Sequence, residues 1–308
     1  MTPAFRQPEL PPRPPVSVWA TGQPNDPARL DEGRYVPETA RDAFRVPSST
    51  AAHAIAAYTR AGDAILDPDC GAGTVLVEAL HAGRHAIGVT GHPRWWPVAR
   101  ANVTAAKYRG ATSDGMVLDS PAARGQLAGL CGRIALVLTA VRAVDPAHGR
   151  TRPPTARSTG AEIRGEEPSG RLRGMLTACR PLLRPDGHLI VVVRPRRHRD
   201  ELVDLTGHVH DAAHAAGLIP VDRCVALLAE LRGDRLVVPP SPAKRRRATR
   251  LSRSAGHPIS LITHHDVLIF RAPYEEEAAA AVRPPHPPRM PHHVTDPAPY
   301  ADPVREAA

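Results

Sequence analysis

Fifteen residues, Ala64 to Glu78 (AILDPDCGAGTVLVE), constrain the fold of this chain more than any other stretch. Ala64, Ile65 and Leu66 form a short apolar run that ends on an acid, Asp67. A turn of small residues follows, Cys70-Gly71-Ala72-Gly73. Thr74 then opens an apolar-periodic segment through Val75, Leu76, Val77, Ala79 and Leu80. This pattern predicts a buried strand, a tight glycine turn and a helix entry, the first unit of a nucleotide-binding α/β sheet. Glycine has no Cβ, so the backbone can turn sharply there and a ligand can approach it closely. The helix start adds free N–H groups and the positive end of a dipole. The third glycine of the dinucleotide fingerprint is absent from its spacing.

Around this unit, strand and helix signals alternate. A short strand-like stretch at Val16 to Ala20 carries Trp19, and residues 21 to 34 read as loop. An Ala-rich segment from Val46 to Arg60 reads as a helix capped by Ser48 or Ser49. Gly83 fits the C′ position after the first-unit helix. Further strands are expected at Ala86–Val89, Met116–Leu118, Ile134–Leu138, His188–Val193, Cys224–Leu228 and Val267–Phe270. Helices are expected over Trp95–Lys107, Leu172–Leu183 and 200–216. Such alternation means a parallel sheet covered by helices on both faces. No clear helix separates the last two strands, so these pair antiparallel.

Written out, the glycine turn reads D-P-x-C-G-x-G-T-x-x-x-E-A. That pattern resembles motif I of the S-adenosylmethionine-dependent methyltransferases, above all the amino-methyltransferases of DNA and next a related group acting on tRNA guanine. Leu182 to Ile190 (LLRPDGHLI) likewise resembles the segment before their fifth strand. The resemblance covers roughly residues 45 to 272. It implies a Rossmann-like α/β fold, a seven-stranded sheet that is mostly parallel with an antiparallel edge hairpin. It implies S-adenosylmethionine as cofactor, with Asp67, Cys70, Gly71 and Gly73 around it. Thr90 and Asp119 stand at the next two strand tips, facing the ribose and the adenine. Asp119 reads equally as a turn or helix cap. Ser48, Ser49 and Thr50 sit where the family's preceding helix closes the pocket.

Two departures from the family bear on activity. Its second strand ends in an acid that grips the ribose hydroxyls; here Gly88-Val89 is followed by Thr90, whose hydroxyl makes one hydrogen bond in place of a charge-assisted pair. Its fourth strand is followed by D/N/S-P-P-Y/F/W, which holds the target amine and stacks a flipped base. Here Leu138-Thr139 leads into Ala140-Val141-Arg142-Ala143, with no acceptor, proline or aromatic. A displaced Asp145-Pro146-Ala147-His148 is the one substitute, five residues late. No catalytic residue is assigned. The resemblance thus implies a DNA methyltransferase-like protein with impaired base amino-group methylation. A pseudo-methyltransferase with a binding or regulatory role, and a tRNA or small-molecule methyltransferase, remain alternatives.

Composition narrows the partners. The net charge of +9 suits a polyanion, and nucleic acid, DNA before RNA, is the expected partner. Lys107 and Lys244 are the only lysines, so part of that charge reflects a bias toward Arg. Lys244-Arg245-Arg246-Arg247 with Arg250 and Arg253 reads as a solvated loop, or else as a phosphate-binding patch. Cys70, Cys131, Cys179 and Cys224 form no C-x-x-C pair. The adjacent pairs His264-His265 and His292-His293 read as solvated loops, so no metal is expected. No apolar run approaches a membrane span and the N-terminus lacks a signal-peptide core, which predicts no membrane partner and a cytoplasmic location. The chain divides into a partly disordered extension (1–44), a methyltransferase-like domain (45–272) and a disordered Pro/His-rich tail (273–308).

Overall fold

The computed structural model describes residues 16–22, 33–141, 168–198, 201–238 and 242–273. The readings made for residues 1–15, for Asp145-Pro146-Ala147-His148 and the rest of 142–167, and for the tail with His292-His293 lie outside them.

The apolar runs become strands β2 (Ala64–Asp67), β3 (His85–Thr90), β4 (Gly115–Asp119), β5 (Ile134–Ala140) and β6 (Leu183–Val193). All five pair in parallel, in the order β6-β5-β2-β3-β4. β9 (Ile219–Leu227) and β12 (His264–Arg271) complete the expected seven, with β12 antiparallel to both β6 and β9. The fold is therefore the Rossmann-like methyltransferase sheet, α/β and mostly parallel. An eighth strand, β1 (Val18–Trp19), extends it by pairing in parallel with β9 at Val225 and Ala226. The sheet thus takes in residues well before position 45.

Helices cover both faces. α1 (Ser48–Tyr58), α2 (Thr74–His81) and α3 (Trp95–Tyr108) lie on one side; α5 (Pro168–Cys179) and α6 (Leu205–Ala215) lie on the other, with α4 (Ser120–Ala128) between β4 and β5. On β5, Leu136 and Leu138 join the first core and Ile134 and Val137 the second. Burial on both faces explains why parallel strands read as unbroken apolar runs. Gly83 ends α2 as expected, at φ 74°, with the Arg84 N–H donating to Ala79 O at 2.9 Å.

Three local readings are corrected. α1 begins at Ser48 itself: Pro47 is its cap residue, and Ala51 N–H donates to Pro47 O at 2.9 Å. Ser48 and Ser49 are first-turn residues, because proline needs no N–H at a helix entry. The Lys244 to Arg253 stretch is a helix, α7 (Pro242–Ala255), built of good helix formers behind a proline at its first position. Two small hairpins are not expected from the sequence, β7–β8 (Arg196–His198, Glu201–Val203) and β10–β11 (Glu230–Arg232, Arg235–Val237), and β8 takes residues 201–203 from the helix expected over 200–216, which starts at Leu205 behind the Asp204 cap.

The chain steps from β2 outward to β3 and β4, then returns to β5 and β6 on the other side of β2. The strand order reverses at β2, which puts a topological switch point at the carboxyl ends of β2 and β5. Open α/β sheets bind their ligands at such a switch point. The turn after Asp67 sits there.

Three half-buried histidines should make the fold acid-sensitive. His53 packs its ring 4.6 Å from Trp19, and His188 packs 5.1 Å from Tyr58. Burial holds His53, His81 and His188 below the usual imidazole range, and the Arg34 and Arg109 charges add to this at His81. The unfolded chain therefore takes up protons first, near pH 6.5, and stability falls as pH drops through that value. The expected result is a Tm level above pH 7 and declining steadily from pH 6.5 to 5. A Tm unchanged across that window would contradict it.

Candidate functional site

Asp67 ends β2 with its side chain buried, and Oδ1 accepts from the Asp69 N–H at 3.1 Å. The turn is then tied back to the neighbouring strand, Cys70 N–H to Val89 O at 2.8 Å. Gly71 and Gly73 take positive φ, 50° and 86°. A Cβ at Gly73 would lie 3.2 Å from the Ala99 Cβ of α3. The bare side of this glycine thus faces helix α3, and its role is to let α3 approach the turn. Thr74 opens α2; its Oγ1 is buried and has no hydrogen-bond partner among the described residues.

A segment ahead of α1 is strapped over this turn, and sequence reasoning missed the residues that hold it. Asn102 of α3 is fully buried and binds three groups. Its Oδ1 accepts from the Val36 N–H at 2.8 Å; its Nδ2 donates to Thr39 Oγ1 at 2.7 Å and to Ala72 O at 2.8 Å. Asp42, equally buried, accepts from the Ala72 N–H at 3.0 Å and from the Phe44 N–H at 3.1 Å. Glu78, the acid of the turn-and-helix pattern, is also buried and accepts from the Tyr35 hydroxyl and from Arg34 at 3.2 Å. The strap and α2 cover the turn, so Cys70 through Thr74 are all buried.

The next two tips continue the row. Thr90 ends β3, buried, with Oγ1 accepting from the His92 N–H at 3.4 Å. Asp119 ends β4 opposite Thr90 in register, exposed, and directly precedes α4. Asp67, Thr90 and Asp119 therefore stand at three adjacent strand ends, while Ser48, Ser49 and Thr50 open the helix that follows the strap.

At the end of β5 the side chains change character. Thr139 is buried, with Oγ1 unpartnered among the described residues, and Ala140 and Val141 follow. The Val141 N–H is already committed to Val192 O at 3.0 Å. Here a small open pocket of about 40 Å³ lies between the strap and the tips of β5 and β6, lined by Phe44, Arg45, Ala140, Val141, Arg194 and His265. His265 belongs to β12 and is buried, which corrects its reading as loop: strand alternation turns it inward beside its partly exposed neighbour His264. The pocket has apolar walls and a cationic rim, and among the described residues no carboxylate lines it.

No family model matches the chain, and no curated protein matches it. Solved structures do, at low identity. A TehB-like SAM-dependent methyltransferase from Corynebacterium glutamicum is 15% identical over 80% of this chain and 98% of its own, with a TM-score of 0.41. The precorrin-6y C5,15-methyltransferase of Geobacter metallireducens is 11% identical over 79% and 96%, with a TM-score of 0.48. A putative RNA methyltransferase from Pyrococcus horikoshii is 11% identical over 77% and 90%, with a TM-score of 0.39. No helix among the described residues is long and apolar enough to cross a membrane.

Proposed function

We propose that this protein binds S-adenosylmethionine across the carboxyl ends of β2, β3 and β4 and engages nucleic acid, DNA in preference to RNA, as a methyltransferase-like protein with impaired base amino-group methylation. The observation that carries the reading is the position of the glycine turn at the switch point of the sheet. The donor set fits the cofactor in part. Asp67, the turn at Cys70, Gly71 and Gly73, and the orphan Thr74 hydroxyl suit its polar end. Asp119 can accept from the adenine amino group. Thr90 supplies one hydroxyl where a carboxylate would make two charge-assisted bonds, a loss of about 1–3 kcal/mol in binding.

The cofactor, when bound, supplies an already activated methyl group, so the protein's share is orientation. Impairment follows from the acceptor side. The β5 tip offers an amine no side-chain acceptor at Ala140 or Val141, and the guanidinium groups of Arg45 and Arg194 rim the pocket. Cations there disfavour positive charge developing on an attacking nitrogen. This rim also favours the second reading, a binding or regulatory role without methyl transfer. Incubation with methyl-labelled cofactor and genomic DNA tests both: the expected result is cofactor retained by the protein and no label in the DNA. Label in the DNA would overturn the impairment. Failure to retain cofactor would overturn the site.

A further inference from the structure

We propose that α7 is a duplex-DNA docking arm that grips the phosphate backbone through a stripe formed by Arg246, Arg250 and Arg253. This builds on nucleic acid as the partner and assigns the surface that would meet it. At 100° per residue, the three arginines fall within about 60° of one another, one above the next over about 10 Å of helix. Ala248, Leu251, Ser252 and Ala255 are the half-buried positions, and they cluster on the opposite side of the wheel. Ser252 Oγ accepts from the Ile259 N–H at 2.9 Å, so the chain beyond the helix folds back against that far face. The stripe itself points outward, exposed.

The charge distribution works against the helix on its own. Its fourteen residues, PAKRRRATRLSRSA, hold six cations and no acid. Arg245 to Arg247 crowd the first turns, where the helix dipole prefers negative charge. Arg246 and Arg250 repel each other at i,i+4. A polyanion laid along the helix reverses both terms.

Topology puts this arm at the right end of the sheet. β9 runs parallel to β6, and β12 runs back between them. The hairpin β10–β11 and α7 fill the connection from the carboxyl end of β9 to the start of β12. They therefore emerge on the edge where Asp67, Thr90 and the pocket lie, and His265, one residue into β12, lines that pocket. Residues 230–255 contain no Phe, Trp or Tyr, so they offer unstacked bases no platform, and a duplex backbone suits them better than a single strand. A membrane fits less well: Leu251 is the only large apolar residue of α7 and is turned inward, leaving no apolar face to insert.

The test is fluorescence anisotropy of the full chain with a labelled mixed-sequence 20-bp duplex, titrated from 50 to 200 mM salt. Arg246→Ala/Arg250→Ala/Arg253→Ala should lower the salt slope by about 2.7, at about 0.9 per phosphate contact. Across that fourfold salt range, the wild type should lose about 40-fold more affinity than the variant. The triple Arg→Lys variant keeps the charge and should bind nearly as the wild type does. A control with Arg60→Ala and Arg133→Ala, at the amino ends of β2 and β5, should keep the full slope. Equal loss in that control, or an unchanged slope in the triple Ala variant, would overturn the arm while leaving nucleic acid as partner. No DNA binding by the wild type at 50 mM salt would overturn both. Tighter binding to phosphatidylserine vesicles than to duplex would overturn the arm in favour of a lipid surface.

Discussion

Asn102→Ala should lower the unfolding free energy by about 2–4 kcal/mol, the largest loss expected from any single polar truncation here. Asn102 is fully buried and takes up three groups from two segments distant in sequence: Val36 N–H, Thr39 Oγ1 and Ala72 O. Alanine would leave those groups desolvated and unpaired, and a buried orphan costs more than the hydrogen bond it lost contributed. The damage should spread to the strap, because Asp42 and Glu78 hold the same segment by separate bonds to Ala72 and to Arg34 and Tyr35. Urea denaturation reads the total. Faster amide exchange at Val36 and Ala72 than at β5 would locate it. A loss below about 0.5 kcal/mol would show that the strap is held some other way.

Gly73→Val should abolish cofactor binding, weakening it by at least 100-fold, in a protein that still folds with a lowered Tm. Two effects act together. The residue sits at φ 86°, where an L-residue is strained by about 1–2 kcal/mol and a β-branched one by more. Its Cβ would stand 3.2 Å from Ala99 Cβ, so α3 must move away from the turn. The turn cannot hold both its conformation and its contact with α3, and the N–H groups that open α2 move with it. Calorimetry on a variant with native circular dichroism decides the matter. Binding equal to the wild type would place the cofactor elsewhere.

Much of this fold was legible because parallel strands buried on both faces leave a plain mark. Ile134 to Leu138 and Leu189 to Val193 could be little else, and the glycine turn set the order of the first unit. What escaped shares a physical cause. β1 was legible as a strand-like stretch around Trp19, but its place in the sheet was not, because it is two residues long and gains that place only by pairing with Val225 and Ala226, over two hundred positions away. α4 has a sparse apolar pattern, and the hairpins β7–β8 and β10–β11 are three residues per strand and largely polar. The arginine run disguised α7, since charge density signals solvent before it signals helix. Asp67, Thr90 and Asp119 were legible as strand-end residues because strand tips can be located from strands. Asp42 and Asn102 were not, because a buried polar residue declares itself only through partners that the chain brings from 30 to 66 residues away.

The glycine turn at the switch point should hold S-adenosylmethionine. Titration calorimetry of the full chain with S-adenosylmethionine, repeated with S-adenosylhomocysteine, tests it most directly. The expected result is saturable binding of one cofactor per chain, absent in Gly73→Val. No heat of binding at millimolar cofactor, from a wild-type protein that is natively folded, would contradict it.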